Sequence, residues 1–450
     1  MIEHLVDKLI EKAKSRVDEL EVYLAKSKTR SFTIANDRII ESSSTVDMDV
    51  GIRGSIGRKT GAIRLNNLPE NPDRILSLLV SIIKSSPEDP HYPGLPVDTK
   101  PVKTRVACDE KIASMSEEEI VEFLEYTINK LKEPALKHGV DSVVVTEGML
   151  YTATGEVLFA NSKGVFRRDE KTGLMTWLVV NTSKAGSSSD YSFTYAKSVF
   201  DAREAEKEAL ESGERALLFF NSTPVESGEY DIVFEPSITG LILSYSLAPA
   251  FSGLNILENR SPLKNKIREK VFSEEVSIID DPLLHGGTGS RGFDDEGIAT
   301  YTKRVVDKGV FSIVLHSYYT ARRMNTESTG NGLRGHPAAQ PLPGFTNLVL
   351  EPRSGELEDF IRDVKKGIVV YEVIGYWMSD PFTGNVKATV THGLLVENGE
   401  IVKPVKGVVI GGNIYEWLSQ NLGGIGRDNV TVMNTSTPTL WIKNVRVAGK

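Results

Sequence analysis

The chain lacks most of what would place it outside a reducing, aqueous compartment. Its 450 residues include a single cysteine, Cys108, so no disulfide framework can form within it. No run reaches the roughly 18 apolar residues of a membrane-spanning helix. The opening MIEHLVDKLIEKAK is a charged amphipathic pattern rather than the apolar core of a secretory leader. Positive charge is in deficit: 53 Lys and Arg stand against 61 Asp and Glu, a net charge of −8, the reverse of a nucleic-acid-binding face. The expectation is a soluble, cytoplasmic protein that contacts neither membrane nor nucleic acid.

Catalytic signatures are also missing. The seven histidines are His4, His91, His138, His285, His316, His336 and His392; none precedes a glutamate, and no two lie within five residues. Helical zinc spacing is therefore absent. There is no G-x-S-x-G elbow, and Cys108 has no histidine near it in sequence. Gly287, Gly289 and Gly292 satisfy G-x-G-x-x-G, but FDDEG and the strand-like Ile298–Val306 follow. No helix opens there to receive a pyrophosphate. Asp294, Asp295 and Glu296 lack the fuller ligand pattern of a calcium loop and read as a turn.

What is present is an alternation of helical and strand-like stretches. Ile2, Leu5, Val6, Leu9, Ile10, Ala13 and Val17 recur at helical spacing and predict a helix over 2–19. Strand-like runs at 21–25, 30–35, 38–42, 46–53 and 57–65 suggest an antiparallel meander, and Asn71-Pro72 starts a helix to about Lys84. After a proline-rich connector over 85–106 the order returns. Ser116 and Glu119 form a capping box for a helix through Leu131, followed by strand-like runs at 142–146, 155–161, 164–168, 175–181 and 190–195. Asp201 then caps a helix to about Phe219. The fold class expected is α+β. Residues 1–221 form an N-terminal domain with an internal duplication, its halves about 1–86 and 107–221. STPVESG, residues 222–228, reads as a linker, and 229–450 as a mainly β domain with one buried helix. Helical segments are further expected at 264–270, 356–364 and 414–420.

That buried helix is TGLILSYSLAPAFSG, residues 239–253, apolar at helical spacing, disturbed by Pro249 and stopped by Gly253. GLILSYSLAPAFSG resembles the segment of the TldD/PmbA family (the modulator of DNA gyrase family) that carries a metallopeptidase motif, roughly G-x-L-x-H-E-A-x-G-H-x-x-E-G in the TldD branch. Aligned on Gly240 and Gly253, Ser244 and Pro249 occupy the two histidine positions and Tyr245 the glutamate position. Ile425, in GGIGRDNVTV, stands nearest the further cysteine ligand. The string FDDEG, the loop NTESTGNGLR and the ending TPTLWIKNVRVAG also resemble the family.

The resemblance is stronger to the PmbA (TldE) branch, which lacks the zinc motif. It implies no catalytic residue and no metal or other cofactor in this chain, zinc being expected only in a TldD-type partner. It further implies a cytosolic complex acting on unfolded or short peptides, with self-association as a homodimer also expected. Ser328, Thr329, Asn331 and Arg334 are candidates to line a peptide groove; the alternative is a solvated loop. The competing functional readings are a homodimeric peptide-binding or scaffold protein and a peptidase with an unorthodox site.

Overall fold

The structure is a computed structural model and describes residues 2–450 other than Pro69. The first repeat is α1 (Ile2–Ala13), β1 (Glu19–Ala35), β2 (Arg38–Ile56), β3 (Lys59–Leu65) and α2 (Asp73–Ser85). A short α3 (Glu110–Ser114), not anticipated, precedes the second: α4 (Glu117–Lys137), β4 (Ser142–Asn161), β5 (Phe166–Lys184), β6 (Ser187–Lys197) and α5 (Ala202–Arg215). The capping box at α4 is present, with Glu119 N donating to Ser116 Oγ and Ser116 N to Glu119 Oε2. Asp201 accepts from the amides of Arg203 and Glu204 at the start of α5.

The six strands form one antiparallel sheet in the order β3-β2-β1-β4-β5-β6. Each three-stranded unit thus continues into the other across β1 and β4. The strands are far longer than the sequence runs suggested. Polar Lys26–Thr29 does not interrupt β1, because β1 is laddered on both sides through this stretch, and Ser42–Thr45 of β2 is held by its ladder to β1 on one side. A backbone hydrogen-bonded on both edges carries polar side chains without cost to the strand.

One face of the sheet carries all four long helices. Leu20, Val22, Leu24, Val50 and Ile52 pack against α1 and α2; Phe32, Ile34, Leu150, Leu174 and Leu178 pack against α4 and α5. The other face, with Tyr23 and Phe159, meets the C-terminal half at Phe293.

That half opens with β7 (Gly228–Phe234), which pairs with strands 366–374 and 440–448. Strand 366–374 also pairs with 385–397, which pairs with 408–413, and that strand pairs with 440–448. These five strands therefore close into a barrel. Its core joins Ile232, Phe234, Ile368, Val370 and Ile442 to Ile242 and Leu243 of the next helix, α6 (Pro236–Ser246), and to Leu247 just past its end. The helices expected at 356–364 and 414–420 form over Leu357–Asp363 and Ile414–Ser419. The basic stretch 264–270 does not form a helix, because Asn265 and Arg268 take left-handed backbone angles, φ 65° and 70°.

A polar clamp joins the two halves at β6. Glu372 accepts from His392 Nδ1 at 2.7 Å and from the Ser192 amide at 3.0 Å, and Asp190 lies 3.8 Å from His392 Nε2. Burial alone would lower the pKa of His392, but hydrogen bonds to Asp190 and Glu372 outweigh it and raise it to about 9. A histidine whose folded pKa exceeds its ordinary value contributes stability that is complete below about pH 6.5 and is lost as pH rises through about 9. His392→Gln should therefore destabilise the fold by on the order of 2 kcal/mol at pH 6 and much less at pH 10. Urea unfolding at both pH values checks this, and an equal loss at each would remove the clamp's charge from the account.

Candidate functional site

Two places in the C-terminal half could carry chemistry: α6, where the metal motif would lie, and the polar loops behind the sheet's second face. Pro236 opens α6 at a position where its missing amide hydrogen costs nothing. The helix stops at Ser246 and the chain continues as a 3-10 turn, Ala248–Phe251, containing Pro249. The early loss of regular hydrogen bonding expected from Pro249 is observed. The expected stop at Gly253 is not: Gly253 begins a second short helix, α7 (Gly253–Leu257). It is glycine because a Cβ there would lie 2.4 Å from His316 Nδ1.

The motif positions fall at separate kinds of place. Ser244 is half-buried on α6. Tyr245 is exposed, its ring 5.0 Å from that of Tyr376, which in turn contacts Trp377. Pro249 lies beyond the helix end and has no donor atom to offer. Ile425 is buried in the barrel core, on a strand opposite Leu440. Zinc takes thiolate, imidazole or carboxylate ligands, and these four residues supply none; they do not fit the ion. Among the described residues, no group of three His, Cys, Asp or Glu converges as a ligand set. His316, behind Gly253, is held neutral by burial, which lowers its pKa to about 4. Around Tyr245 the surface is apolar, with Ile374, Trp377 and Met378 each more than half exposed.

The second place is a network of buried charges. Arg334 donates from Nη2 to Glu21 at 2.6 Å, from Nε to Asp295 O, and from Nη1 to Pro337 O and Ala339 O. Its guanidinium lies over the Tyr23 ring. Arg53 pairs with the same Glu21 oxygen at 3.0 Å. Burial opposes the charge on Glu21, but Arg334 and Arg53 more than offset it, so its pKa lies below the ordinary value. Asp295 Oδ1 accepts from Tyr23 and Arg291, each at 2.9 Å, and its Oδ2 from the Arg334 amide.

The neighbouring acids do not converge with it. Asp294 accepts from the amides of Glu296, Ile298 and Gly332, and Glu296 from that of Tyr318. Burial pushes both carboxyls up, and the charge on Asp294 pushes Glu296 further. FDDEG is thus a turn, as the sequence suggested, and each acid fastens a different segment. Gly292 ahead of it allows a close backbone approach: a Cβ would lie 1.6 Å from Lys103 O.

The loop expected to line a groove is fastened the same way. Asn331 donates to Asp280 at 2.7 Å and to Gly344 O; Asp280 pairs with the fully buried Lys303. Thr329 Oγ1 accepts from the His316 amide and donates to Asn331. Ser328 is half-buried and donates to His316 O. Thr329 and Asn331 are buried, and the side chain of the half-buried Arg334 is almost wholly enclosed, with their polar atoms occupied inside the chain. They hold the later part of the loop rather than face a groove, while Asn325, Thr326 and Glu327 at its start are exposed. Glu21, Tyr23, Arg53 and Arg291 were not singled out in the sequence. The one available signal was a glutamate inside the strand-like run 21–25.

Removing one partner of a buried ion pair leaves the other charge stranded, at about 3–5 kcal/mol. Arg334→Met should therefore cost about that much and expose the 334–339 segment to limited proteolysis. A loss below about 1 kcal/mol in denaturant melts would show that the pair is not a fastening.

Three family models match the chain in order. They describe PmbA/TldA metallopeptidase domain 1 over residues 20–82, the central domain over 110–218 and the C-terminal domain over 227–449. A metalloprotease of Methanothermobacter thermautotrophicus is 32% identical over 230 residues, 51% of this chain and 50% of that protein. The match thus spans about half of that relative's length. An uncharacterized protein of Methanocaldococcus jannaschii is 27% identical over 415 residues, 92% of this chain and 93% of that one. The crystal structure of TldE from Thermococcus kodakarensis superposes with a TM-score of 0.87 at 25% identity, covering 99% of this chain and 100% of that one. With all three domain models matched in sequence order, the chain belongs to the PmbA/TldD family.

Proposed function

We propose that this chain is a PmbA/TldE-like, non-catalytic subunit that pairs with a zinc-bearing TldD-type subunit in a cytoplasmic peptidase. The observation that carries the reading is the motif segment, where Ser244, Tyr245 and Pro249 stand in place of His, Glu and His, with Pro249 past the end of the helix. Hydrolysis at zinc requires ligands for the ion and a general base for its water. This chain keeps the scaffold and offers neither, so both would come from the partner.

Its own contribution would be an interface and part of the wall that admits extended peptide. The exposed surface at Tyr245, Trp377 and Met378 supports a role in taking apolar side chains of unfolded segments. The single cysteine fits a reducing compartment, and no helix among the described residues is long and apolar enough to cross a membrane. The same aromatic surface favours a second reading, a homodimeric peptide-binding protein with no proteolytic role, since such a surface needs no metal.

The purified chain should retain less than stoichiometric zinc after dialysis and should cleave no casein-like substrate alone, while a mixture with a TldD-type partner should cleave it. Zinc at one per chain by elemental analysis, or chelator-sensitive cleavage by the chain alone, would overturn the assignment. Activity absent from the mixture as well would favour the second reading.

Association gives a further check. Symmetric pairs are the commonest oligomers, and a surface built for a homologue can accept a copy of itself. Light scattering at micromolar concentration should give about twice the 49.5 kDa chain mass; a monomer throughout would leave hetero-pairing alone.

A further inference from the structure

On the sheet face opposite the helices, β4 and β5 present a short strip whose chemistry changes in order. Lys171 lies opposite Gly155, Gly173 opposite Ala153, Met175 opposite Tyr151 and Trp177 opposite Met149. Alternate residues of a strand share a face at about 6.6–6.8 Å per pair of residues. The strip therefore runs from an amine, across a floor with almost no side chain, to two thioethers and two aromatic rings. Met175 is exposed, while Lys171, Tyr151 and Trp177 are half-buried.

Gly173 has open space where a side chain would be, its nearest neighbour being Lys197 O at 4.0 Å. The Lys171 amine faces the loop that bears Arg291 and Asp295. Arg291 is paired with Asp295, and the nearby Arg334 with Glu21. Among the described residues Lys171 makes no direct ion pair, although Asp295 and Asp169 lie near enough to favour its charge. The residue as a whole is half-buried, and its amine makes no hydrogen bond among the described residues.

We propose that this strip binds the free C-terminal carboxylate of an extended peptide, with Lys171 taking the carboxylate and Tyr151, Met175 and Trp177 taking an apolar side chain. The proposal rests on the peptide-binding reading above and names the part of the peptide that is recognised. A carboxylate is the right complement because one cation is left without a direct ion pair where the other cations have theirs, and a charge-assisted hydrogen bond is the strongest pairing open to an amine. The glycine and alanine floor lets a peptide backbone lie close to the sheet, as bulkier side chains would not. Burial, and after it the neighbouring Arg291, lower the Lys171 pKa to about 7, with Asp295 and Asp169 partly opposing them.

The test uses the full chain and an N-acetylated octapeptide ending in phenylalanine, made as the free acid and as the C-terminal amide. Calorimetry should show the acid binding about tenfold more tightly than the amide, the scale of one charge-assisted hydrogen bond. Lys171→Met should abolish that preference, so that acid and amide bind alike. Lys171→Arg should keep most of the preference, which a merely structural role for the lysine would not predict. Met175→Asp should weaken both peptides. Equal binding of acid and amide by the unaltered chain, or a preference that survives Lys171→Met, overturns the carboxylate site and leaves peptide binding standing. No binding of either peptide removes the peptide-binding reading and this proposal with it.

Discussion

The pairing of Glu21 with Arg334 is the constraint on which the rest of the molecule depends. One partner comes from the first strand of the N-terminal sheet, the other from a loop 313 residues later. Both are almost wholly buried. A charge so placed tolerates no unpaired state, because stranding it costs several kcal/mol. Arg53, Tyr23, Asp295 and Arg291 extend the network until each charge in it has a counter-charge or a hydrogen bond. The interface between sheet and C-terminal loops thereby acquires one geometry, since a sliding contact would break several of these bonds together.

This accounts for two of the stretches that resemble the family most closely. FDDEG and the NTESTGNGLR loop could be taken for metal or peptide ligands, being rich in carboxylates and hydroxyls. In the fold Asn325, Thr326 and Glu327 are exposed, while the side chains of Asp294, Glu296, Thr329 and Asn331 are turned to backbone amides, to Asp280 and to one another. Their chemistry is that of fastening. The carboxylates are acidic residues placed where the chain needs acceptors for otherwise orphaned amides, the role that buried polar groups most often fill.

The fastening also determines which surfaces remain for partners and peptide. With one sheet face covered by helices and part of the other held against the C-terminal loops, the strip along β4 and β5 is left partly open. On α6, Tyr245 lies against Tyr376, which in turn contacts Trp377, and these rings form an aromatic surface. The α6 helix is held by its apolar side, through Ile242 and Leu243, with Leu247 just past its end, and not by Ser244 or Tyr245.

Much of this could be read from the residues alone. The capping box at Ser116, the repeated order of helix and strands, the break at Pro249 and the absence of ligand-type residues at 244, 245 and 249 are local properties, settled by side-chain chemistry and spacing. Three features were settled only by tertiary structure. The strands run unbroken through Lys26–Thr29 because neighbouring strands complete their hydrogen bonds, which no local pattern encodes. Residues 264–270 leave the helical path because Asn265 and Arg268 adopt left-handed angles, despite a composition that suits a helix. The inward turn of Thr329, Asn331 and Arg334 depends on Asp280 and Glu21, residues remote in sequence whose burial becomes visible only when the sheet and the loops meet. Local patterning reports which conformations a segment can adopt; whether a charge is solvated or buried against another is decided by what the rest of the chain places beside it.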